Sequence, residues 1–197
     1  MRIAIVDVGI GNPASVQRMF EELDVNTYLV SAPVDLGREL DDIMIVLPGV
    51  GTWDRAIEKL ESNGWVVFLQ ENSNHFRLVL GICLGMQLLF HKSEEGQSPG
   101  LSLLDGRIEF FSKRNTINIG WRDVKFIGGS NFTDSRFYHV HRLALVDDGQ
   151  PFIKGIENSG LPVCVEQDNI VGYQFHPEKS HYYGKKLLEE LLKKYAK

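Results

Sequence analysis

The chain has 197 residues, of which 43% are hydrophobic and 24% are charged, the composition of an ordinary globular protein. With 21 Lys and Arg against 26 Asp and Glu, its net charge of −5 argues against a general nucleic-acid binder, which needs a basic face. Two cysteines are too few for a disulfide framework. Asp7 interrupts the first apolar run, so no signal peptide is expected. The longest nearly uncharged stretch, residues 78–90, is shorter than the about 20 residues of a membrane span. We expect one domain over residues 1–197 that lies in the cytoplasm and contacts neither nucleic acid nor membrane.

Strands and helices alternate in the first half of the chain. The continuous apolar run at 3–6 predicts a strand buried on both faces. Asn12 is a good N-cap and Pro13 suits the first helical turn, so a helix follows, with its apolar face at residues 16, 19, 20 and 23. Further strands are predicted at 27–30, 43–47 and 78–80, with helices around 56–60, from 65, and after the last strand through residue 90. This alternation predicts an α/β fold with a parallel sheet.

The pattern changes after Gly96. Short β-like segments separated by turn residues, such as GGSN at 128–131, predict a mostly antiparallel layer attached to the α/β half. These segments lie at 108–111, 124–126, 137–140, 144–146, 163–165 and 170–175. The chain ends in a helix whose apolar face is formed by Leu187, Leu188, Leu191, Leu192 and Tyr195.

The segment from Gly9 to Ala14 matches a dinucleotide-binding fingerprint, G-x-G-x-x-A, between a strand and a helix. The acidic residue expected at the end of the second strand is missing, because Ser31 and Ala32 stand there. We therefore interpret the segment as a tight strand-to-helix turn, and we expect no cofactor.

The segment from Gly81 to Gly85 is the cysteine version of the nucleophile elbow, G-x-S-x-G, and it also lies between a strand and a helix. Its glycines allow a sharp turn. Cys83 would stand at a helix N-terminus, where the helix dipole favours thiolate over thiol. A lone cysteine is more often a small buried hydrophobe, and this is our interpretation of Cys164, which lies in the apolar run 163–165.

A candidate base for this cysteine lies near the C-terminus. Pro177 disfavours the helical conformation at His176 and favours an extended one. In an extended chain residues i and i+2 project to the same side, so Glu178 can orient the imidazole while His176 serves the thiolate as base and acid. Taken alone the motif is weak, since His, Pro and Glu are all common in surface turns.

A fourth motif is the turn Pro48-Gly49-Val50-Gly51, which follows a predicted buried strand. Such a loop can direct backbone N–H groups at an anion or at a developing oxyanion. Alone it is only a turn.

In this order and spacing, the motifs resemble the class I glutamine amidotransferases. GICLGMQLLF at 81–90 and YQFHPEKS at 173–180 are the signatures, and LPGVGTWDRA at 47–56 extends the resemblance. Within the family the chain is most similar to the glutaminase subunits of imidazole glycerol phosphate synthases. The resemblance implies a doubly wound, mostly parallel sheet flanked by helices, with an added antiparallel β layer in the C-terminal half. It also implies that L-glutamine is hydrolysed and that the ammonia passes to a barrel synthase subunit in a heterodimer.

Site residues follow from the same resemblance. It implies that Cys83 is the nucleophile, His176 the general acid and base, and Glu178 the orienting carboxylate. It also implies an oxyanion hole formed by the Leu84 N–H and a backbone amide of the loop Gly49, Val50, Gly51. Gln87 and Glu95 are the residues that would bind the substrate.

The resemblance also places an interface with the barrel partner at Trp121, Tyr138 and His139, with Asn118, Ile119 and Arg122 as neighbours that tune the fit. These segments depart from the histidine-pathway pattern. Residues 117–122 read INIGWR where the family usually has PHMGWN, and residues 138–143 read YHVHRL where it has YFVHSY.

Several alternatives remain open from the sequence. Close paralogues of these subunits feed ammonia to enzymes that build amidino-bearing surface sugars, and the departures allow this role. A stand-alone cysteine hydrolase would use the same Cys–His pair, and a non-catalytic interaction subunit is disfavoured by the intact triad. We expect no metal site, because His139 and His141, although on the same face of a strand, have no acidic or thiol ligand near them in the sequence.

Overall fold

The computed structural model describes residues 1–37, 39–112, 116–127, 135–146 and 148–195. Its strands are β1 (Arg2–Val6), β2 (Thr27–Val30), β3 (Ile43–Leu47), β4 (Leu78–Ile82), β5 (Lys92–Ser93), β6 (Arg107–Phe110), β7 (Asn118–Phe126), β8 (Ser135–His141), β9 (Leu143–Leu145), β10 (Ile153–Glu157), β11 (Pro162–Gln167) and β12 (Ile170–Tyr173). Its α-helices are α1 (Pro13–Glu21), α2 (Trp53–Ser62), α3 (Trp65–Asn72), α4 (Leu84–Leu88) and α5 (His181–Tyr195). No helix in these ranges is long and apolar enough to cross a membrane.

The first half of the chain forms a parallel sheet, as predicted. Strands β2, β1, β3, β4 and β12 lie side by side in that order, and each neighbouring pair is parallel. Both faces are buried at β1, β3, β4 and β12, since alternate residues of these strands enter different apolar clusters. Helices α1 and α5 cover one face, and α2 and α3 cover the other. The predicted α/β fold class is confirmed.

The start of α1 follows the sequence prediction. The side-chain oxygen of Asn12 accepts a hydrogen bond from the Ser15 N–H at 3.2 Å, and Pro13 is the first helical residue. The preceding turn contains Gly11 at a φ of 83°, where an added Cβ would lie 3.1 Å from the Gly49 nitrogen. The G-x-G-x-x-A segment therefore forms a tight turn packed against the 48–51 loop.

The predicted antiparallel layer is attached to the α/β half through the main sheet itself. Strands β11, β10, β7 and β8 extend the main sheet beyond β12, so one nine-stranded sheet holds both halves. Among the described residues, β5, β6 and β9 form a second, three-stranded sheet. The sequence prediction missed β10, whose central Gly155 interrupts the β pattern. This glycine lets the strands approach closely, because a Cβ there would lie 2.8 Å from the Cys164 Cβ. The turn predicted at GGSN 128–131 lies outside the described residues.

Candidate active site

Cys83 stands on a sharp turn between β4 and α4. Its φ of 54° and ψ of −111° place a non-glycine residue in a sparsely populated conformation. Backbone segments approach each other very closely around this turn, so residues 81 and 85 have no room for a side chain. A Cβ at Gly85 would lie 1.8 Å from the Leu47 carbonyl oxygen, and one at Gly81 would lie 2.6 Å from the Gly85 oxygen. The two glycines thus have the steric role that the sequence predicted for them.

His176 and Glu178 meet next to this turn. The Nδ1 of His176 lies 2.7 Å from the Glu178 Oε1, and both side chains are buried. His176 is extended, as the following proline predicts. Glu178, however, lies in a one-turn 3₁₀ helix, Pro177–Lys179, rather than in an extended chain. The side chains therefore converge by a route that differs from the predicted i, i+2 alternation.

Neighbouring residues fix the backbone of His176. Its N–H donates to the Tyr138 carbonyl at 2.9 Å. The Ser180 hydroxyl donates to the His176 carbonyl at 2.6 Å and accepts from the Tyr138 N–H at 3.0 Å. Strand β8 thus anchors the imidazole from the antiparallel side of the sheet. Ser180 was missed as a site residue, although it lies inside the motif YQFHPEKS.

Electrostatics favour a protonated imidazole at this position. Burial by itself lowers the pKa of His176, but the neighbouring Cys83 and Glu178 outweigh burial and raise the pKa to about 10. The Nε2 of His176 has no hydrogen-bond partner among the described residues. The geometry therefore leaves this nitrogen available to a reacting group beside the thiol.

Two further groups surround the sulfur of Cys83. The Cys83 Sγ lies 3.8 Å from the carbonyl oxygen of Val140, and the Gln174 Nε2 points at it from 3.9 Å. The oxygen of the Gln174 amide accepts from the Gln87 Nε2 at 3.0 Å. The sequence analysis missed Gln174, which precedes His176 by two residues and is fully buried.

The other cysteine has a different environment. Cys164 lies in β11, is buried and belongs to the apolar cluster under α1 and α5. Burial raises the pKa of its thiol well above the usual range. This agrees with its interpretation as a core residue.

The 49–51 loop lies against the first turn of α4, where the family resemblance places an oxyanion hole. The N–H of Leu84 donates to the Gly49 carbonyl at 3.4 Å. In a trans peptide the N–H of the next residue, Val50, points away from that carbonyl. In this conformation the Leu84 donor is therefore occupied, and the peptide between Gly49 and Val50 presents its acceptor instead of its donor.

A cavity of about 420 Å³ opens beside the nucleophile. Gln87 and Glu95 both line it, although each also makes a hydrogen bond to another protein group. The Nε2 of Gln87 contacts the Leu143 carbonyl as well as Gln174, and the Glu95 Oε2 accepts from the Trp53 N–H at 2.8 Å. The lining residues are Val50, Gly51, Thr52, Cys83, Leu84, Gln87, Glu95, Ile117, Val140, His141, Arg142 and Leu143. Sequence reasoning missed Arg142, an exposed cation at this cavity.

The predicted interface residues separate into two sets on the β7–β8 ribbon. Trp121 is 38% exposed, and it contacts the partly buried Tyr138 edge-on and stacks on His181. His139 is fully buried, so its assignment to the interface is wrong. The register explains the difference. His139 pairs with Gly120, one residue before Trp121, and its side chain points to the opposite face of the ribbon.

The inward face of the ribbon carries a buried polar cluster. Asn118 donates from Nδ2 to the Glu157 Oε2 at 2.6 Å, and this Nδ2 also lies 3.2 Å from the His141 Nε2. The His139 Nδ1 lies 3.2 Å from that Nε2 and 3.7 Å from the Glu157 oxygen. The expectation that no acidic ligand lies near the two histidines is wrong, because β10, the strand that the sequence analysis missed, carries Glu157.

Both histidines of this cluster are neutral at physiological pH. Burial, together with the neighbouring His141 and Arg122, lowers the pKa of His139 from 6.5 to about 3. Burial also outweighs the Leu143 carbonyl and Glu157, which raise the pKa of His141, and the net result is a pKa of about 4. Each imidazole therefore keeps a lone pair on one ring nitrogen. Among the described residues His139, His141 and Glu157 have the donor atoms to hold a metal ion.

Comparison with known proteins identifies relatives along the whole chain. Residues 4–194 match the family described as "Glutamine amidotransferase class-I". The chain is 40% identical to "Imidazole glycerol phosphate synthase subunit HisH" of Exiguobacterium sibiricum, over 95% of this chain and 93% of that protein. It is 36% identical to the subunit HisH of Thermotoga maritima, over 98% and 96% of the two chains. It is 34% identical to the "subunit HisH 2" of Methanococcus maripaludis, over 97% and 98%.

Solved structures with similar folds are more distant in sequence. One described as a glutamine amidotransferase superposes with a TM-score of 0.77 at 15% identity and covers 99% of both chains. PurLQS from Thermotoga maritima superposes with a TM-score of 0.73 at 19% identity, over 100% of this chain and 99% of that chain. At these identities the likeness concerns the fold.

Proposed function

This chain belongs to the class I glutamine amidotransferase family, and from that premise we propose that it is the glutaminase subunit of an imidazole glycerol phosphate synthase. The observation that carries the proposal is the convergence of Cys83, His176 and Glu178, with the nucleophile Cys83 lining the cavity. The relatives named HisH, at 34–40% identity over nearly their full length, support histidine biosynthesis as the pathway. We treat residues 1–197 as one amidotransferase domain that works in the cytoplasm, where its two free thiols stay reduced.

The proposed mechanism uses the triad in two half-reactions. The Cys83 thiolate attacks the side-chain amide carbon of glutamine, and protonated His176 gives its proton to the departing nitrogen, which leaves as ammonia. Water then attacks the thioester while His176 accepts a proton, and glutamate leaves with the thiolate restored. Glu178 holds the imidazole in the required tautomer and stabilises its cationic form. Its 2.7 Å contact with the His176 Nδ1 supports this role.

Charged groups at the cavity suit an amino acid in its zwitterionic form. The Glu95 Oε2 is held by the Trp53 N–H, which leaves the other carboxylate oxygen to receive an α-ammonium group. Arg142 offers a guanidinium to the α-carboxylate. Gln87 sits deeper, where it holds Gln174 against the nucleophile. We therefore assign Glu95 and Arg142 to recognition of the substrate's amino-acid end and Gln87 to support of the sulfur.

Because the Leu84 N–H is occupied by the Gly49 carbonyl, we propose that the partner subunit is needed to form the oxyanion hole. Rotation of the Gly49–Val50 peptide would free the Leu84 N–H and turn the Val50 N–H toward the same site. Two donors would then face the oxyanion that forms on the substrate carbon. We propose that docking of a barrel subunit on the ribbon face formed by Ile119, Trp121 and Tyr138 favours this rotation. Ile119 is 55% exposed and Trp121 38%, as an uncovered docking face requires.

Steady-state ammonia release from glutamine tests the proposal. The purified chain is assayed alone, with a histidine-pathway barrel subunit and with a sugar-pathway barrel subunit, each with and without its ligand. We expect turnover to rise only with the histidine-pathway barrel. Stimulation by the sugar-pathway barrel alone would assign the chain to the paralogous pathway. Equal rates in all arms would contradict the proposed coupling, and no ammonia in any arm would contradict the glutaminase assignment.

A further inference from the structure

The buried polar cluster behind the cavity has a set of donor atoms that the glutaminase mechanism does not use. We propose that His139, His141 and Glu157 bind a divalent transition-metal ion of the zinc class. This inference is independent of the proposed function, because none of the three residues belongs to the triad.

The spacing of the donor atoms fits one ion. The His139 Nδ1 lies 3.2 Å from the His141 Nε2 and 3.7 Å from the Glu157 Oε2, and all three atoms lie within 4.8 Å of one another. Zinc holds nitrogen and oxygen ligands at about 2.0–2.2 Å in tetrahedral geometry, which separates any two ligands by about 3.3–3.6 Å. The two measured separations bracket this range, so small side-chain rotations suffice to close the site.

The chemistry of the donors also selects this class of ion. Two neutral imidazoles and one carboxylate suit zinc and its neighbours, whereas calcium and magnesium prefer all-oxygen sites. The carboxylate offsets half of the charge of a divalent ion, which a buried position requires.

Neighbouring groups already orient two of the three ligands. The His141 Nδ1 donates to the Leu143 carbonyl at 2.8 Å, which leaves the lone pair of its Nε2 facing the cluster. The Ser159 hydroxyl donates to the Glu157 Oε1 at 2.7 Å, which leaves Oε2 for the ion. Such supporting hydrogen bonds are usual around metal ligands in proteins.

The ion would enter from the cavity, and its fourth ligand must also be accounted for. His141 lines the cavity beside Cys83, so the cavity offers an ion a route toward the cluster. The amide of Asn118 now donates into the cluster toward Glu157 and His141, and it must turn aside when the ion binds. The fourth position then belongs to a water molecule or to the turned Asn118 oxygen.

A competing interpretation is that the cluster is only a buried hydrogen-bond network. The test starts from the Cys83→Ser variant, because the Cys83–His176 pair is itself able to bind zinc. The chain is freed of metal with a chelator, and Zn²⁺ affinity and stoichiometry are measured by competition with a chromophoric chelator. Co²⁺ is added in a parallel experiment, since its visible absorption bands report coordination geometry directly.

Three substitutions on the Cys83→Ser background complete the design. His139→Phe removes a ligand and keeps an aromatic ring beside Phe175, whose ring lies 5.6 Å from that of His139. Glu157→Gln keeps the shape and removes the charge. His75→Phe is the matched control, because His75 is exposed in the 3₁₀ helix Ser73–His75 that follows α3 and does not belong to the cluster. Circular dichroism of each variant checks the fold.

We expect one Zn²⁺ per Cys83→Ser chain and a tetrahedral Co²⁺ spectrum. His139→Phe and Glu157→Gln should each weaken Zn²⁺ affinity at least about 10-fold, while His75→Phe should leave it unchanged. If His139→Phe fails to fold, the Zn²⁺ affinity of Glu157→Gln tests the proposal by itself. Absence of binding below millimolar Zn²⁺, or affinity equal in the folded variants and in Cys83→Ser, would overturn the proposal and leave a hydrogen-bond network.

Discussion

The nucleophile turn, residues 81–85, and the β7–β8 ribbon place functional residues by different physical means. In the turn, backbone atoms approach so closely that only glycine fits beside Cys83. In the ribbon, strand alternation divides the residues between an exposed face with Trp121 and a buried face with His139. The turn therefore fixes chemistry through backbone sterics and tolerates few substitutions. In our proposal the ribbon sets recognition of the partner through side chains that can change without changing the fold.

The largest contrast is expected between the two cysteines. Cys83→Ala should lower glutamine hydrolysis by about 10³-fold or more, because the reaction loses its nucleophile. Cys164→Ala should keep the wild-type turnover and lose about 1 kcal/mol of stability, since it removes only a small buried side chain from the core. Ammonia release and urea unfolding of both variants measure the contrast. A Cys83→Ala variant with wild-type turnover would contradict the amidotransferase chemistry.

Glycine substitutions test the difference in backbone sterics. Gly85→Ala would put a Cβ 1.8 Å from the Leu47 oxygen, so we expect a loss of about 3 kcal/mol or more, or failure to fold. Gly160, on the antiparallel side, has a φ of 91° and no atom within 4 Å of an added Cβ. Gly160→Ala should therefore cost only about 1–2 kcal/mol. Similar losses in urea unfolding would contradict the close approach at the turn.

A substitution on the exposed face of the ribbon should weaken the stimulation of glutaminase activity by the partner and leave the reactivity of Cys83 unchanged. Trp121→Ala should weaken the stimulation by the barrel partner about 10-fold, which corresponds to the loss of one aromatic anchor. The rate of alkylation at Cys83 should stay unchanged. Val67→Ala is the control, because Val67 is 60% exposed on α3, far along the chain from the ribbon. Partner titrations of glutaminase activity make the comparison, and equal losses in both variants would remove Trp121 from the interface.

A further contrast concerns pH. The pKa of His176 is raised from 6.5 to about 10 in the folded chain, so the folded state binds more protons than the unfolded state between these values. The stabilisation from the charged imidazole is complete below pH 6.5 and is lost as pH rises through about 10. The wild type should therefore lose more stability than His176→Gln between pH 6.5 and 10. Parallel slopes in urea unfolding across this range would contradict a protonated His176.

The sequence predicts those parts of the molecule that depend on local rules. The strands at 27–30 and 43–47 have the predicted ends, and the cap at Asn12 forms as expected. Periodicity and capping suffice for these elements, because burial of an apolar face decides them. The glycines on either side of Cys83 also follow a local rule, because a sharp turn between a strand and a helix leaves no room for side chains there.

The remaining features depend on contacts between distant segments. Glu157 reaches His139 and His141 only because β10 adds to the same sheet, and the β10 sequence has a glycine where a β pattern needs a side chain. The occupied Leu84 N–H depends on the orientation of one peptide, which residue types do not determine. Burial of His139 follows from ribbon register rather than from its neighbours in the chain.

Covalent labelling tests the central claim, that the nucleophile turn activates Cys83 beside His176. The chain is treated with a chloroketone analogue of glutamine, with and without excess L-glutamine, and the adduct is located by mass spectrometry of peptides. We predict that Cys83 carries the label, that glutamine protects it and that Cys164 stays unmodified. Labelling at Cys164 in preference to Cys83 would contradict the account.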